Sequence, residues 1–224
     1  MHYEEVIDRL KAEANPANVA GMARYGISST NTLGISIPVL RKLAKEIGKD
    51  HELALELWDS GIHEARILAG FIDEPGKVTD AQLERWVKDF DSWDVVDQVS
   101  ELVSKTPFVV KKIHQWSASE AEFVKRSAFS LIAELAWYDK KLTDADFEQF
   151  FVIIQGAATD ERNYVKKAVN WALRNIGKRN QALNKRAIGV AREIQKMDSK
   201  AARWTAADAL RELQSEAVQK RISK

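Results

Sequence analysis

The sequence predicts an all-α protein, a stack of antiparallel helix pairs, on two observations. The first is that apolar residues recur at spacings of three and four, the period of a helix with one buried face. This period runs through VLRKLAKEIG (39–48), ELALELWDSG (52–61), EARILAGFID (64–73) and VKKAVNWALRNIG (165–177). The second is that no stretch shows the strict alternation, bounded by turn residues, that is typical of a strand.

Capping residues predict where the helices begin and end, which gives helices of roughly 10–18 residues joined by short turns. Side chains of Ser, Thr, Asn and Asp accept hydrogen bonds from first-turn N–H groups, and glycine readily adopts the backbone angles that end a helix. We predict N-caps at Asn15, which precedes Pro16, and at Thr79, Ser119 and Thr143. We predict helix ends at Gly48, Gly61 and Gly177.

Four segments can be laid over one another, which indicates an internal repeat. Each has one or two basic residues near its start, a small or apolar middle, and Leu or Ile at its end. Val165 follows Val124 by 41 positions and Ala202 follows Val165 by 37, close to the roughly 40–47 residues of a HEAT or armadillo unit. The segments are EARILAGFI (64–72), VKRSAFSLI (124–132), VKKAVNWAL (165–173) and ARWTAADAL (202–210).

This repeat predicts a HEAT-like or armadillo-like superhelical solenoid that forms a single domain over residues 1–224. N-terminal helices are expected within 1–30 and the repeat stack within 33–215. The second helix of each pair would line a concave face. Because the repeated segments begin with basic residues, we expect that face to be basic.

Composition excludes several classes of function. The chain has no cysteine, which excludes disulfides, thiolate nucleophiles and cysteine-based zinc sites, and its four histidines are too scattered to suggest a metal cluster. No apolar run approaches about 18 residues, and MHYEEVIDRLKAEA at the start is an acidic amphipathic helix rather than a signal peptide. We expect no metal or cofactor, no membrane insertion, and a cytoplasmic location that is nucleoid-associated in a bacterium.

Charge is unevenly distributed, although the formal net charge is only +1. Residues 161–224 hold 16 Lys and Arg against 6 Asp and Glu, whereas residues 1–160 hold 18 Lys and Arg against 27 Asp and Glu. A basic C-terminal third is typical of a surface that neutralises phosphates. A solvated basic helical surface is an equally good explanation of the charge alone.

The stretch SWDVVDQV (92–99) places Trp93 and Asp97 four residues apart, and therefore on one face of a helix. With HEARILAGFID (63–73), FVKRSAFSLI (123–132), YVKKAVNWALRNIGKRN (164–180) and LGISIPVLRKLAKEIG (33–48), it resembles the AlkD-like DNA alkylation repair proteins in order and spacing. These proteins are DNA glycosylases built from HEAT-like repeats. The resemblance implies excision of cationic N3- or N7-alkylated purines from double-stranded DNA, without a metal and without deep base flipping. A solenoid with a DNA groove has no need of a partner subunit, so we expect a monomer.

Four positions of the family's site match this sequence. The resemblance implies that Trp93, Asp97, Arg126 and Trp171 face the lesion on the concave surface. Their chemistry fits that role, because indole faces attract a cationic base or sugar and a carboxylate stabilises the positive charge that develops on deoxyribose. Arg126 would hold a backbone phosphate. We expect further phosphate contacts from Lys125, Lys166, Lys167, Arg174, Lys178, Arg179, Lys185 and Arg203.

Each of these residues also has a structural interpretation. Tryptophans of a helical protein are most often core residues, and we assign Trp58, Trp86, Trp116, Trp137 and Trp204 to packing or to helix ends. Arg126 could instead be a buried arginine that binds loop carbonyls between repeats, the interpretation that we favour for Arg66. Asp94 projects away from the shared face of Trp93 and Asp97, and we interpret it as structural.

The sequence departs from the family pattern at several positions near the proposed site. Ser92 precedes Trp93 where active members often carry a second tryptophan, ISSTNTLG (27–34) is polar where they are aromatic, Gly21 replaces a tyrosine, and Phe123 replaces a tryptophan. These departures predict a shifted lesion range or lower activity. Two functions therefore remain open: an alkylpurine DNA glycosylase, and a catalytically weak or inactive HEAT-like module that binds DNA or protein.

Overall fold

The structure, a computed structural model, describes residues 1–223. Over that range the chain folds into fourteen α-helices and one short 3-10 helix, without a β-strand. The prediction of an all-α protein is confirmed. The helices fall into two compact units, residues 1–109 and the residues from 110 onward. The single domain that we expect over 1–224 stays a prediction.

The first unit contains seven helices that are complete within it. They are α1 (Tyr3–Ala12), α2 (Pro16–Ala23), α3 (Ile37–Ile47), α4 (His51–Asp59), α5 (His63–Ile72), α6 (Asp80–Trp86), which the 3-10 helix Val87–Asp89 extends, and α7 (Trp93–Val103). Within this unit α5 packs against α3, α4 and α7. Helix α5 is therefore the centre of the first unit, and it positions α7.

The second unit begins within α8 and contains the longer helices. They are α8 (Val109–Ser117), α9 (Glu122–Tyr138), α10 (Asp144–Ala157), α11 (Asn163–Gly177), α12 (Gln181–Gln195), α13 (Lys200–Leu213) and α14 (Glu216–Ile222). Helix α11 packs against both α9 and α13, while α10 and α12 pack beside them.

The predicted repeat is visible within the second unit. The segments 124–132, 165–173 and 202–210 lie in the neighbouring helices α9, α11 and α13. Side-chain hydrogen bonds join these helices at the repeat distance: Asn170 Nδ2 donates to Asp208 Oδ2 across 38 positions, and Asn175 Nδ2 donates to the Ala133 carbonyl across 42. Equivalent positions of successive repeats therefore lie side by side, as the overlay predicts.

Most predicted caps are confirmed. The side chains of Asn15 and Thr79 accept hydrogen bonds from first-turn N–H groups, and the N–H and hydroxyl of Thr143 both donate to Asp146 Oδ2 in the first turn of α10. The N-cap predicted at Ser119 is wrong, because α9 begins after Ala121 and Ser119 Oγ instead accepts from the Ala121 N–H in the preceding turn. Of the predicted ends, Gly48 directly follows α3, Gly61 follows the C-cap of α4, and Gly177 is the last residue of α11.

Tryptophans divide between the core and the surface. Trp58 and Trp86 stack at 4.0 Å between ring centroids and are buried, as is Trp116. Trp58 Nε1 donates to Asp89 Oδ2 at 2.8 Å, so the indole is both packed and hydrogen-bonded. Trp137 and Trp204 are 41% exposed and lie near helix ends.

Candidate functional site

Trp93 and Asp97 lie on the first two turns of α7, with Trp93 as the first helical residue. Both are partly exposed, whereas Val95, Val96 and Val99 are buried against the first unit. The four-residue spacing places the ring and the carboxylate on one helix face. The buried valines therefore anchor α7 to the first unit.

Asp94 is buried one residue after Trp93 and forms a pair with a histidine. Its Oδ2 lies 2.8 Å from His63 Nε2, and both side chains are almost fully buried. Burial alone lowers the pKa of an imidazole, but the hydrogen bond and the charge of Asp94 outweigh it, and the pKa of His63 is raised. The structural role predicted for Asp94 is confirmed, and its effect is to fix the start of α7 to the start of α5.

Trp93 and the preceding Ser92 are both hydrogen-bonded to the loop between α2 and α3. Trp93 Nε1 donates to the Tyr25 carbonyl at 3.1 Å, which belongs to the segment before α3. Ser92 is fully buried, and its Oγ accepts from the Ser28 N–H at 2.8 Å. The serine that departs from the family pattern therefore anchors the polar N-terminal loop beside Trp93.

The same loop is fastened to the start of α5 by a buried carboxylate. Glu64 accepts hydrogen bonds from the N–H groups of Leu33, Gly34 and Ile35 at 2.7–3.2 Å. Gly34 is required there, because its φ is +82° and a Cβ would lie 2.2 Å from the Asn15 carbonyl oxygen. This anchor was not predictable from the sequence, since an acid in a first helical turn is common and carries no specific signal.

Arg126 and Trp171 belong to the second unit, on α9 and α11. Arg126 is 6% exposed and donates through NH1 to the Tyr164 carbonyl at 2.8 Å, at the start of α11. This contact matches the structural interpretation left open for Arg126, an arginine that binds a carbonyl of the next repeat. Trp171 is partly exposed. The joint site of Trp93, Asp97, Arg126 and Trp171 stays a prediction.

Arg66 has the structural role predicted for it. Its NH1 donates to the Asp89 carbonyl at 3.0 Å, and its guanidinium lies 5.5 Å from the Trp58 ring centroid. The arginine therefore joins α5 to the turn after α6.

The basic residues predicted to bind phosphate differ in whether they form ion pairs with acidic residues of the protein. Lys125 pairs with Asp160 at 3.3 Å, Arg203 pairs with Asp198 at 3.0 Å, and Arg174 and Lys178 both pair with Glu212. Lys166 lies over the exposed Trp204 ring at 5.0 Å, while Lys167 and Lys185 are exposed. Phosphate contacts would therefore cost least at Lys167 and Lys185, because neither lysine forms an ion pair with an acid within residues 1–223.

Arg179 binds the end of α9. Its guanidinium donates to the carbonyls of Leu135, Ala136, Asp139 and Leu142 at 2.9–3.3 Å and stacks over Phe147 at 4.5 Å. These groups include C-terminal carbonyls of a helix, which have no partner within the helix itself. The contact is internal, and the phosphate contact that we expect of Arg179 stays a prediction.

We expect Arg179→Ala to lower the free energy of unfolding by about 2–4 kcal/mol, because several partly buried carbonyls lose a charged donor. Lys185→Ala is the matched control, since Lys185 is an exposed cation of the same unit, and its effect should stay within about 0.5 kcal/mol. Urea unfolding followed by circular dichroism measures both. Equal stability of the two variants would show that the carbonyl contacts contribute little.

Neither a metal cluster nor a membrane span is found in residues 1–223. No group of three or more His, Cys, Asp or Glu side chains in that range could hold a metal ion. No helix in the same range has the length and apolar character needed to cross a bilayer.

Comparisons with known proteins agree with this architecture. The sequence model of a family described as DNA alkylation repair enzyme matches residues 6–213. Uncharacterized proteins of Listeria innocua and Listeria monocytogenes are 24% and 22% identical over 200 residues, which cover 87% of each chain.

One solved structure covers 99% of this chain and 96% of its own, at 20% identity and a TM-score of 0.84. It represents "a new family of proteins related to the HEAT-like repeat DNA glycosylases with affinity for branched DNA structures". At this identity the likeness shows the fold alone, and it confirms the predicted HEAT-like repeat architecture.

Proposed function

We propose, since this chain belongs to the DNA alkylation repair enzyme family, that it is a monofunctional DNA glycosylase for cationic N3- or N7-alkylated purines in duplex DNA. It would hydrolyse the N-glycosidic bond and leave an abasic site. One observation carries the proposal: α7 presents Trp93 and Asp97 together on one partly exposed face.

The chemistry needs an acid and an aromatic surface more than it needs a proton donor. An alkylated purine is already cationic, so it accepts the electron pair of the breaking C1′–N bond and leaves as a neutral base. Positive charge then develops on the deoxyribose, where a carboxylate such as Asp97 stabilises it and can accept a proton from the attacking water. The indole of Trp93 can attract a cationic base or sugar by about 0.5–2 kcal/mol.

Hydrogen bonds and packing hold Trp93 and its helix in place, which favours a functional site over a chance pairing of two surface residues. The Tyr25 carbonyl holds the Trp93 indole, and the buried His63–Asp94 pair holds the helix start. Buried valines fix the opposite face of α7. Catalytic groups work best when packing and hydrogen bonds fix their positions in advance, which is the arrangement around Trp93.

The resemblance to the alkylation repair family implies roles for the other residues of the predicted site. Trp171 would give a second indole face for the cationic nucleotide, and Arg126 would fix a phosphate beside it. Lys167 and Lys185, both exposed, would neutralise phosphates further along the duplex. The protein would act as a monomer without a metal or deep base flipping, and its DNA substrate would place it in the cytoplasm, at the nucleoid in a bacterium.

A second candidate is a DNA-binding module with weak or no catalysis. The solved relative with a TM-score of 0.84 is described by its affinity for branched DNA structures, which favours this candidate. Asp97 separates the two functions, because an acid facing DNA weakens binding and is useful only if it assists the reaction.

The test uses a duplex with a single 7-methylguanine and, in parallel, an unmodified four-way DNA junction. A glycosylase releases the base faster than spontaneous depurination. A binding module holds the junction more tightly than the duplex and leaves the release rate at its spontaneous value.

A further inference from the structure

A cleft of about 600 Å³ lies in the first unit among α3, α5 and α7. Five cationic side chains and one carboxylate line it: Arg41, Lys42, Lys45, Lys49, Lys105 and Glu101. We call it the basic cleft. Its charge is unexpected, because acids outnumber bases by 27 to 18 in residues 1–160.

The single carboxylate of the basic cleft is shared by two cations. Arg41 NH2 donates to Glu101 Oε2 at 3.3 Å and to Gln98 Oε1 at 3.1 Å, while Lys105 Nζ donates to Glu101 Oε1 at 2.9 Å. These pairs are largely exposed, so each contributes little stability. They instead fix positions: they hold Arg41 of α3 and Lys105, in the turn after α7, around the opening of the basic cleft.

Lys49 adds a partly buried cation to the basic cleft. Its Nζ donates to the carbonyls of Phe71 and Asp73, both at 2.8 Å. Partial burial and repulsion by Lys105 lower the pKa of Lys49, although nearby acids oppose the shift. A bound anion would relieve this repulsion.

Lys42 and Lys45 stand on α3 at the exposed rim. Neither ammonium group has a hydrogen bond or ion pair with another residue within 1–223. An anion can therefore bind both lysines without breaking an existing ion pair. This makes Lys42 and Lys45 the best anion ligands in the basic cleft.

The floor of the basic cleft is apolar. Phe71 and Leu102 form part of it, and the Arg41 guanidinium lies 4.4 Å from the Phe71 ring centroid. A Cβ at Gly70 would lie 3.2 Å from Val99 Cγ2, so the glycine permits close packing of α5 against α7 beneath this floor. An aromatic floor below a cationic rim suits a ligand with a flat base and a phosphate.

The basic cleft and Asp97 share one face of α7. Glu101 and Lys105 follow Asp97 at intervals of four residues on α7 and its C-terminal turn, so they continue the same helix face. Each interval advances about 6 Å along a helix. A DNA strand that reaches Asp97 would therefore pass close to the basic cleft.

We propose that the basic cleft binds an unstacked nucleotide of a DNA strand, with its phosphate on Lys42 and Lys45 and its base against the stacked Phe71 ring and Arg41 guanidinium. The inference rests on the DNA binding of the proposed function. It adds a class of substrate: duplex DNA that carries unpaired nucleotides next to the paired region.

The test compares two DNAs that share one duplex sequence, a blunt form and a form with a short thymidine overhang. Fluorescence anisotropy at one fixed salt concentration gives both dissociation constants for each protein. We expect wild type to bind the overhang form roughly 10-fold more tightly, as stacking and phosphate contacts at one nucleotide predict. We expect the double variant Lys42→Glu/Lys45→Glu to lose that preference.

Lys88→Glu is the control for charge reversal elsewhere on the same unit, because Lys88 is an exposed cation that lies outside the basic cleft. It should keep the preference for the overhang. Phe71→Leu retains an apolar floor but removes the aromatic face, and the preference should fall roughly 5-fold or more. Circular dichroism melting checks that every variant is folded.

The outcomes separate this inference from the proposed function. A wild type that binds both DNAs equally, or a double variant that keeps the preference, overturns the basic-cleft inference and leaves DNA binding intact. A wild type that binds neither DNA overturns the proposed function and this inference with it.

Discussion

Replacing Asp97 with asparagine is expected to slow base release by at least about 100-fold, while DNA binding stays equal or becomes tighter. Asparagine keeps the size of the side chain but removes the negative charge that would stabilise the deoxyribose cation. It also removes the group that would accept a proton from water. Binding should not weaken, because a carboxylate near phosphates repels them.

Single-turnover release of 7-methylguanine, with protein in excess over DNA, measures this effect without a contribution from product release. Asp91→Asn is the matched control, because Asp91 is an exposed acid in the turn before α7. Its release rate should stay within a few-fold of wild type. Release by the Asp97 variant at the wild-type rate would remove Asp97 from the mechanism.

Replacing His63 with alanine is expected to lower the free energy of unfolding by about 3–5 kcal/mol, because a buried carboxylate loses its paired partner. Asp94 directly follows Trp93 in the first turn of α7, so the start of α7 should also loosen. His114→Ala is the control, since the hydrogen bond between His114 and Gln149 is exposed, and its effect should stay within about 0.5 kcal/mol. Urea unfolding measures both variants.

The effect of His63→Ala should depend on pH in a defined direction. The pKa of His63 is raised in the folded protein, so its charged form stabilises the fold. This contribution is complete below the pKa of an unfolded histidine, roughly 6.5, and is lost as the pH rises through the folded pKa. The stability difference from wild type should therefore be larger at low pH, and a difference that grows with rising pH would contradict the assignment.

The helical architecture was predictable because its signals are local or periodic. Apolar spacing identifies helices, and repeat offsets near 40 residues align α9, α11 and α13 before any contact is known. Asp94 and Arg66 were also predictable as structural residues, since helix geometry turns Asp94 about 100° from Trp93 and a repeat arginine has carbonyls within reach. Each inference needed only sequence spacing within one or two repeats.

Contacts between distant segments were not predictable in the same way. Lys42 and Lys45 appear in the sequence as ordinary surface residues, and only the packing of α3, α5 and α7 brings them near Lys105. Ser92 appears as a departure from the family, yet the structure gives it a hydrogen bond to the Ser28 N–H. Arg179 appears as one more basic residue until the end of α9 lies against it.

The most direct test of the proposed function is the single-turnover rate of 7-methylguanine release by wild-type protein at a concentration that saturates the duplex. The proposed site predicts a rate well above spontaneous depurination, by at least about 100-fold for a carboxylate-assisted reaction. A saturated complex that releases the base only at the spontaneous rate would contradict the glycosylase function and leave DNA binding as the role of this fold.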